Sequence, residues 1–266
     1  MDIQSTKNPL IKRIRAIRDG EEKDLVCIEG VRLVEEAIDA GLDVELALVS
    51  PKLTQKERGN QLVHRLTKVG ATIKECNHDV FGQASGVTTP QGVLVVAAKK
   101  RFSFTDLVRS KSTCIAVVVA VRDPGNVGAI VRSAEAAGAS GFVAIEGSAD
   151  PWKDKALRGS AGSIFRLPSI GDLSQDDFLR LAREHQLRLV ATQMHGGTPL
   201  WDADFGTSPI AFLFGAEGPG LPSRLADRCD LRVSIPMVAS VESLNVSVAA
   251  SLVLFEQRRR TVGGGR

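Results

Sequence analysis

The run Ile115-Ala-Val-Val-Val-Ala-Val121 carries no polar side chain. A strand with one face in water alternates polar and apolar residues, so this one must be covered on both faces. Sheets of that kind are parallel, and parallel strands need long crossovers, usually helices. The flanking sequence supplies them. Residues 128–137 read as a helix ended by Gly138, 141–145 as a strand, 154–159 as a short helix and 176–185 as a longer one. Further strands are expected at 187–191, 210–214 and 231–235, the last stopped by Pro236, which cannot donate to a ladder. From Ser243 onward Leu244, Val246, Val248, Leu252, Val253, Leu254 and Phe255 form no stripe. That pattern predicts a helix buried on nearly every face. The second half is therefore expected to be an α/β domain with a doubly covered parallel sheet, binding ligands at the C-terminal strand ends.

The first half alternates in the same way. Helices are expected at 9–18, 31–40 and 55–69, and strands at 25–28, 44–49, 71–74 and 92–97, with turn chemistry over 84–92. This predicts a smaller α/β domain over 1–98. The basic, unpatterned stretch 99–111 reads as a linker, leaving 112–266 as the second domain. Within the 266 residues no apolar run approaches the roughly 20 residues of a membrane span. The N-terminus lacks a signal peptide's apolar core, so a cytoplasmic protein is expected. Cys27, Cys76, Cys114 and Cys229 are far apart, which fits reduced thiols better than a zinc site, and no metal is expected. The net charge of +3 does not single out a polyanion as partner. Local clusters say more: Lys7, Lys12, Arg13, Arg15 and Arg18 stand without an acid among them, Lys99 to Lys111 is basic, and Arg258, Arg259 and Arg260 follow the final helix. Such clusters are either solvated surface or phosphate contacts, and the last also suits a helix C-terminus.

Three loops point to one site. In the first, a buried strand runs through Pro124-Gly125 to Asn126 and a helix bearing Arg132 among small and apolar neighbours. Asn126 there can serve as an N-cap, and Arg132 can hold an anion with two parallel hydrogen bonds. In the second, Phe214-Gly-Ala-Glu-Gly218 follows a strand, and its glycines let backbone close on a ligand. Neither a dinucleotide fingerprint nor a phosphate loop occurs. In the third, Ile235-Pro-Met237 precedes Ser243, Leu244, Asn245 and Ser247, which crowd a helix N-terminus.

The order of these pieces, Asn126-x-Gly128-x-x-x-Arg132, then Gly215-x-Glu217-x-x-Gly220-Leu221, then Ile235-Pro236-Met237 with Ser243-Leu244-Asn245-Val246-Ser247, resembles the three motifs of the SpoU branch of the knotted SPOUT RNA methyltransferases. The resemblance extends to residues 158–168, and to Asn8-Pro9-x-Ile11-Lys12, Glu29-Gly30 and Thr89-Pro-Gln-Gly92, which are similar to the family's added substrate-binding domain. Ala239 stands where the family often has glycine.

What this resemblance implies is an α/β trefoil-knot domain preceded by a ribosomal-protein-like α/β domain, acting as a homodimer. The implied reaction is transfer of a methyl group from S-adenosylmethionine to a ribose 2′-hydroxyl of RNA. Ribosomal RNA of the 23S type is favoured over transfer RNA, and a knotted RNA binder without activity or a base methylase are the rival readings. The implied cofactor contacts are Phe214, Gly215, Ala216, Glu217, Gly218, Ile235, Pro236, Met237, Ser243, Leu244 and Asn245. The implied catalytic set is Asn126, Arg132, Glu217, Ser243 and Asn245. Lys7, Lys12, Arg13, Arg15, Arg18, Arg122 and Arg158 are the expected RNA contacts. His195, Trp152 and Trp201 are expected to serve loops or packing.

Overall fold

The structure is a computed structural model that describes residues 3–109, 113–206, 209–238 and 242–263. Lys111, Ala239 and the glycine tail beyond residue 263 lie outside the described residues. The chain divides into two compact units, Met1–Lys100 with Trp152–Phe165, and Arg101–Pro151 with Arg166–Arg266. The segment 152–165 thus packs with the first unit although the chain reaches it from the second.

The first unit contains α1 (Pro9–Asp19), β1 (Leu25–Glu29), α2 (Val31–Asp39), β2 (Val44–Val49), α3 (Pro51–Thr54), α4 (Glu57–Lys68), β3 (Thr72–Glu75), α5 (His78–Ala84) and β4 (Val93–Ala98). Its sheet runs β1-β4-β2-β3, with only β2 and β3 parallel. Asn8 caps α1 by accepting from the Leu10 amide, and Ile11, Ile14 and Ile17 bury one side of that helix against Leu46, Leu48, Leu94 and Val96. The helix expected over 55–69 is α4, and a short α3 that the sequence did not announce precedes it. The two are joined so closely that a Cβ on Gly59 would stand 2.0 Å from the Leu53 carbonyl oxygen.

The second unit begins with α6 (Phe104–Leu107), so the stretch read as a linker holds an element. Ser103 and Asp106 form a reciprocal cap around it, and Phe104 and Leu107 enter the core, a signal too short for periodicity to reveal. There follow β5 (Cys114–Val118), α7 (Pro124–Ala136) and β6 (Gly141–Ile145). The first unit then takes α8 (Asp154–Ser160) and a 3-10 turn at Ser163–Phe165. The chain returns through β7 (Ser169–Leu173), α9 (Gln175–Glu184), β8 (Arg188–Gln193), β9 (Thr198–Pro199), β10 (Ile210–Phe214), α10 (Ser223–Ala226), β11 (Leu231–Ser234) and α11 (Val246–Gly263). All seven strands pair parallel, in the order β7-β6-β5-β10-β8-β11-β9. Every residue of β5, β6 and β10 is buried, as strands covered on both faces require. Ile115, Val117, Val143, Leu189, Ala211 and Leu213 pack with α6 and α9. Alternation along the strands turns the intervening residues to the other face, where α7 meets β5 and β6 and α11 meets β10.

Three local expectations change. The strand expected to reach Val121 ends at Val118, because Ala120 takes a left-handed φ of 55°. Helix α7 starts at Pro124, with Asp123 accepting from the Gly125 amide, so Asn126 lies inside the first turn rather than capping it. Helix α11 is one-sided: Ala250, Val253 and Leu254 are buried, while Val248, Leu252 and Phe255 are 47%, 37% and 49% exposed. Its apolar composition covers two different faces.

The far end of α11 is latched. Glu256, only 5% exposed, accepts from both Arg259 and Arg260, and Arg260 also donates to the Leu200, Trp201 and Ala203 carbonyls and lies 4.8 Å from the Phe205 ring centroid. Two of the three terminal arginines are thus paired to Glu256. Hydrogen bonding by Arg259, reinforced by Arg260, holds the Glu256 carboxyl at about 2 against its ordinary 4.5, outweighing the upward push of burial. A depressed folded-state pKa stabilises above the unfolded value and loses that contribution as pH falls toward the folded one. Unfolding free energy measured in denaturant should therefore fall between pH 4.5 and about 2 by on the order of 3 kcal/mol from this group. Glu256→Gln should flatten that part of the curve, and an unchanged acid limb would contradict the latch.

Candidate active site

Loops leave the C-terminal ends of β8, β10 and β11 and line one cleft. Phe214, Gly215, Ala216, Glu217, Gly218, Ile235, Met237, Ser243 and Leu244 lie on its wall; Pro236 and Asn245 do not. Thr192, Gln193 and Met194, at the end of β8, also line it and were absent from the sequence reading. Nothing in their types announces a site; only the place of β8 beside β10 brings them there.

The glycine loop is shaped by close backbone approach. Gly220 donates to the Ala216 carbonyl at 3.0 Å, closing a tight turn, and Gly218 has a φ of +87°. A Cβ on Gly215 would sit 2.2 Å from the Gly220 carbonyl carbon, so no larger residue fits there. The turn holds up Glu217.

Glu217 draws the three loops together. Its Oε1 accepts from Asn126 Nδ2 at 2.9 Å and from Asn245 Nδ2 at 2.8 Å, and Asn245 Nδ2 also reaches Asn126 Oδ1 at 3.1 Å. Asn126 comes from α7, Glu217 from the loop after β10, and Asn245 from the start of α11. Asn245 caps that start, its Oδ1 accepting from the Ser247 amide at 2.9 Å and hydroxyl at 2.6 Å. Helix α11 is pinned to α7 by the Ser133 and Ser251 hydroxyls, 2.7 Å apart. Arg132 lies on α7, in its third turn, exposed, and takes no hydrogen bond or ion pair among the described residues. Against the bonded trio it is an available cation.

The expected RNA contacts vary in their freedom. Lys7, Lys12, Arg122 and Arg158 are exposed. Arg13 pairs with Glu22 at 3.1 Å, Arg15 donates to the Gln83 carbonyl at 2.7 Å, and Arg18 donates to the Ala84 and Ser85 carbonyls, tying α1 to the end of α5. Trp152 packs on Phe165 with centroids 6.0 Å apart, while Trp201 and His195 are exposed. None of the four cysteines forms a disulfide among the described residues, and burial pushes the Cys114 thiol up to about 12. Among the described residues, no helix is long and apolar enough to cross a membrane, and no group of three His, Cys, Asp or Glu side chains is placed to hold a metal.

Residues 113–255 match the SpoU rRNA methylase family, and residues 8–95 match an MRM3-like substrate-binding domain. The chain belongs to the SpoU rRNA methylase family. It is similar to an uncharacterized tRNA/rRNA methyltransferase of Synechocystis, at 30% identity over 97% of this chain and 93% of that one. The 23S rRNA guanosine 2′-O-methyltransferase RlmP of Bacillus subtilis is 27% identical over 96% of this chain and 98% of its own length. The AdoMet-bound rRNA methyltransferase from Sinorhizobium meliloti superposes with a TM-score of 0.85 at 30% identity, covering 98% of both chains.

The SpoU methylase's glycine turn gives a direct test. Gly215→Ala should open the 215–220 turn, so that the Gly220 amide loses hydrogen-exchange protection while amides of β5 keep theirs. Undiminished protection at Gly220 would show that the turn has room for a side chain.

Proposed function

We propose that this protein transfers the methyl group of S-adenosylmethionine to a ribose 2′-hydroxyl of ribosomal RNA, of the 23S type. The single observation that carries the reading is Glu217 holding Asn126 and Asn245 together at the rim of the cleft, in a chain of the SpoU family. The 2′-O chemistry in the name of the Bacillus relative and the AdoMet in the Sinorhizobium structure support it.

The cleft suits such a cofactor. Apolar side chains of Val233, Ile235, Met237, Leu244 and Val253 face the side-chain-free backbone of Gly215 and Gly218, which fits a flat group with hydrogen-bonding edges. When bound, S-adenosylmethionine supplies a sulfonium methyl already activated for attack. What remains is alignment of the 2′-oxygen and removal of its proton, and alignment alone supplies much of the rate. Asn126 and Asn245, fixed on Glu217, orient the ribose, and Ser243 completes the polar wall. A guanidinium does not give up a proton, so Arg132 is no general base. It holds the RNA phosphate and stabilises the developing alkoxide, and the proton passes to that phosphate or to water.

The first unit, Met1–Lys100 with the segment 152–165, forms the RNA-binding domain in this reading, and the rest of 112–266, joined by Phe104–Leu107 from the stretch 99–111, forms the knotted catalytic domain. Of the expected RNA contacts, the exposed Lys7, Lys12, Arg122 and Arg158 face the RNA, while Arg13, Arg15 and Arg18 are held within the first unit. The exposed Val248, Leu252 and Phe255, spaced for one face of α11, form the seam of a homodimer working in the cytoplasm.

The test is transfer of labelled methyl groups to deproteinised 23S ribosomal RNA and to bulk transfer RNA, followed by nucleoside analysis. The account expects 2′-O-methylnucleoside in ribosomal RNA. Arg132→Ala should lower transfer by at least about 100-fold, on the scale of losing one transition-state contact. Calorimetry should show its S-adenosylmethionine affinity unchanged. Methylated base, or product only in transfer RNA, would overturn the substrate, and near-normal transfer by the variant would remove Arg132 from the mechanism.

A further inference from the structure

The motif pieces Glu29-Gly30 and Thr89-Pro-Gln-Gly92 take no part in the catalytic cleft. They meet instead within the first unit, around the connection 85–92 between α5 and β4. This connection has no regular structure, yet it is fixed at both ends. The Glu29 carboxylate accepts from the Ser85 hydroxyl at 2.5 Å and from the Gly86 amide at 2.8 Å. The Gln91 side-chain carbonyl accepts from the Val31 amide at 2.8 Å, satisfying a free donor at the start of α2 where Gly30 has no side chain to offer. Gly92 closes the connection at a φ of +88°, and a Cβ there would meet Ser50 Oγ at 2.6 Å. Exposed Thr88 and Thr89 stand at the tip of a loop that has little freedom left to lose.

A recess lies on each half of this loop. Ser85 to Thr88 line one together with Lys153, Lys155 and Arg158, and Thr89 to Gln91 line the other together with Lys52 and Lys56. Lys52, Lys56, Lys155 and Arg158 are exposed. The acids present are fewer in effect than in number. In the first recess Asp19 and Asp154 face Arg18, and the second is lined by Arg58, which holds the neighbouring Glu35. The cations therefore exceed the acids on both sides. Lys153, Lys155 and Arg158 come from the segment 152–165, which the second half of the sequence contributes to the first unit.

We infer that the RNA-docking face of the first unit is this pinned loop with its two flanking cationic recesses, completed by the segment 152–158, and that it grips the phosphate backbone of a folded RNA. The inference rests on the proposed reaction for its choice of polyanion. A loop already fixed costs little ordering entropy on docking, and lysines flanking it add charge without reading sequence. Of the bases on α1, Arg18 lines the first recess, while Arg13 and Arg15 are occupied by Glu22 and Gln83.

Charge reversal tests it in the full chain. Filter binding and methyl-transfer kinetics would be measured with deproteinised 23S ribosomal RNA for Lys52→Glu/Lys56→Glu, for Lys155→Glu/Arg158→Glu, and for Lys68→Glu/Lys74→Glu. The last pair is a control of equal charge change, since Lys68 lies at the other end of α4 from Lys56, roughly 18 Å away along the helix. Each recess variant should weaken RNA binding by about tenfold at about 0.1 M salt and flatten the dependence of log K on log salt by roughly 2. KM for RNA should rise with kcat and S-adenosylmethionine affinity held, which general damage to the fold would not spare. The control should bind RNA like the unaltered protein. Recess variants that match the control would overturn the inference while leaving the reaction standing. An unaltered protein that neither binds nor methylates the RNA would instead overturn the proposed reaction.

Discussion

One carboxylate oxygen organises the catalytic unit. Glu217 Oε1 receives amide donors from two asparagines that are 119 residues apart in the chain. Each asparagine is anchored by its own element, Asn126 in the first turn of α7 and Asn245 at the start of α11. A hydrogen bond to an ionised acceptor is about twice as strong as a neutral one, so a shared carboxylate is an effective way to join loops that have no covalent reason to meet. The Ser133–Ser251 contact fixes the two helices in register behind them.

The parallel sheet makes this meeting unavoidable. Strands that all point one way deliver all their outgoing loops to one edge, and β10 sits between β5 and β8 with β11 next beyond. The loops after β8, β10 and β11 line the cleft, and the one after β5 leads into α7, whose first turn brings Asn126 to Glu217 at its rim. Arg132 remains unpaired among the described residues while Asn126, on the same helix, is fully engaged.

Much of this was legible beforehand because burial on both faces leaves a plain mark. The strands over 141–145 and 210–214 are found at their expected bounds, as is Val44–Val49 in the first unit. Elements held by other means left none. Phe104–Leu107 is stabilised by a cap and two buried side chains, too short for a period. Ser169–Leu173 is a half-exposed edge strand interrupted by glycine. The one-sidedness of α11 was hidden because both its faces are apolar, one toward the core and one outward. In the site, the three motifs were visible but their mutual contacts were not. Glu217 stood among the implied site residues but not as the acceptor joining two asparagines, and Thr192, Gln193 and Met194 carried no signal at all, since strand order is not written in local sequence.

The central claim is that Asn126 and Asn245 act as one unit through Glu217, and a double-mutant cycle measures it most directly. Single-turnover methyl transfer would be compared for Asn126→Ala, Asn245→Ala and the two combined. The account predicts that the second substitution costs far less than the first, with a coupling on the order of 1 kcal/mol or more. Strictly additive losses would mean that the two side chains work independently, and that the shared carboxylate does not organise the site.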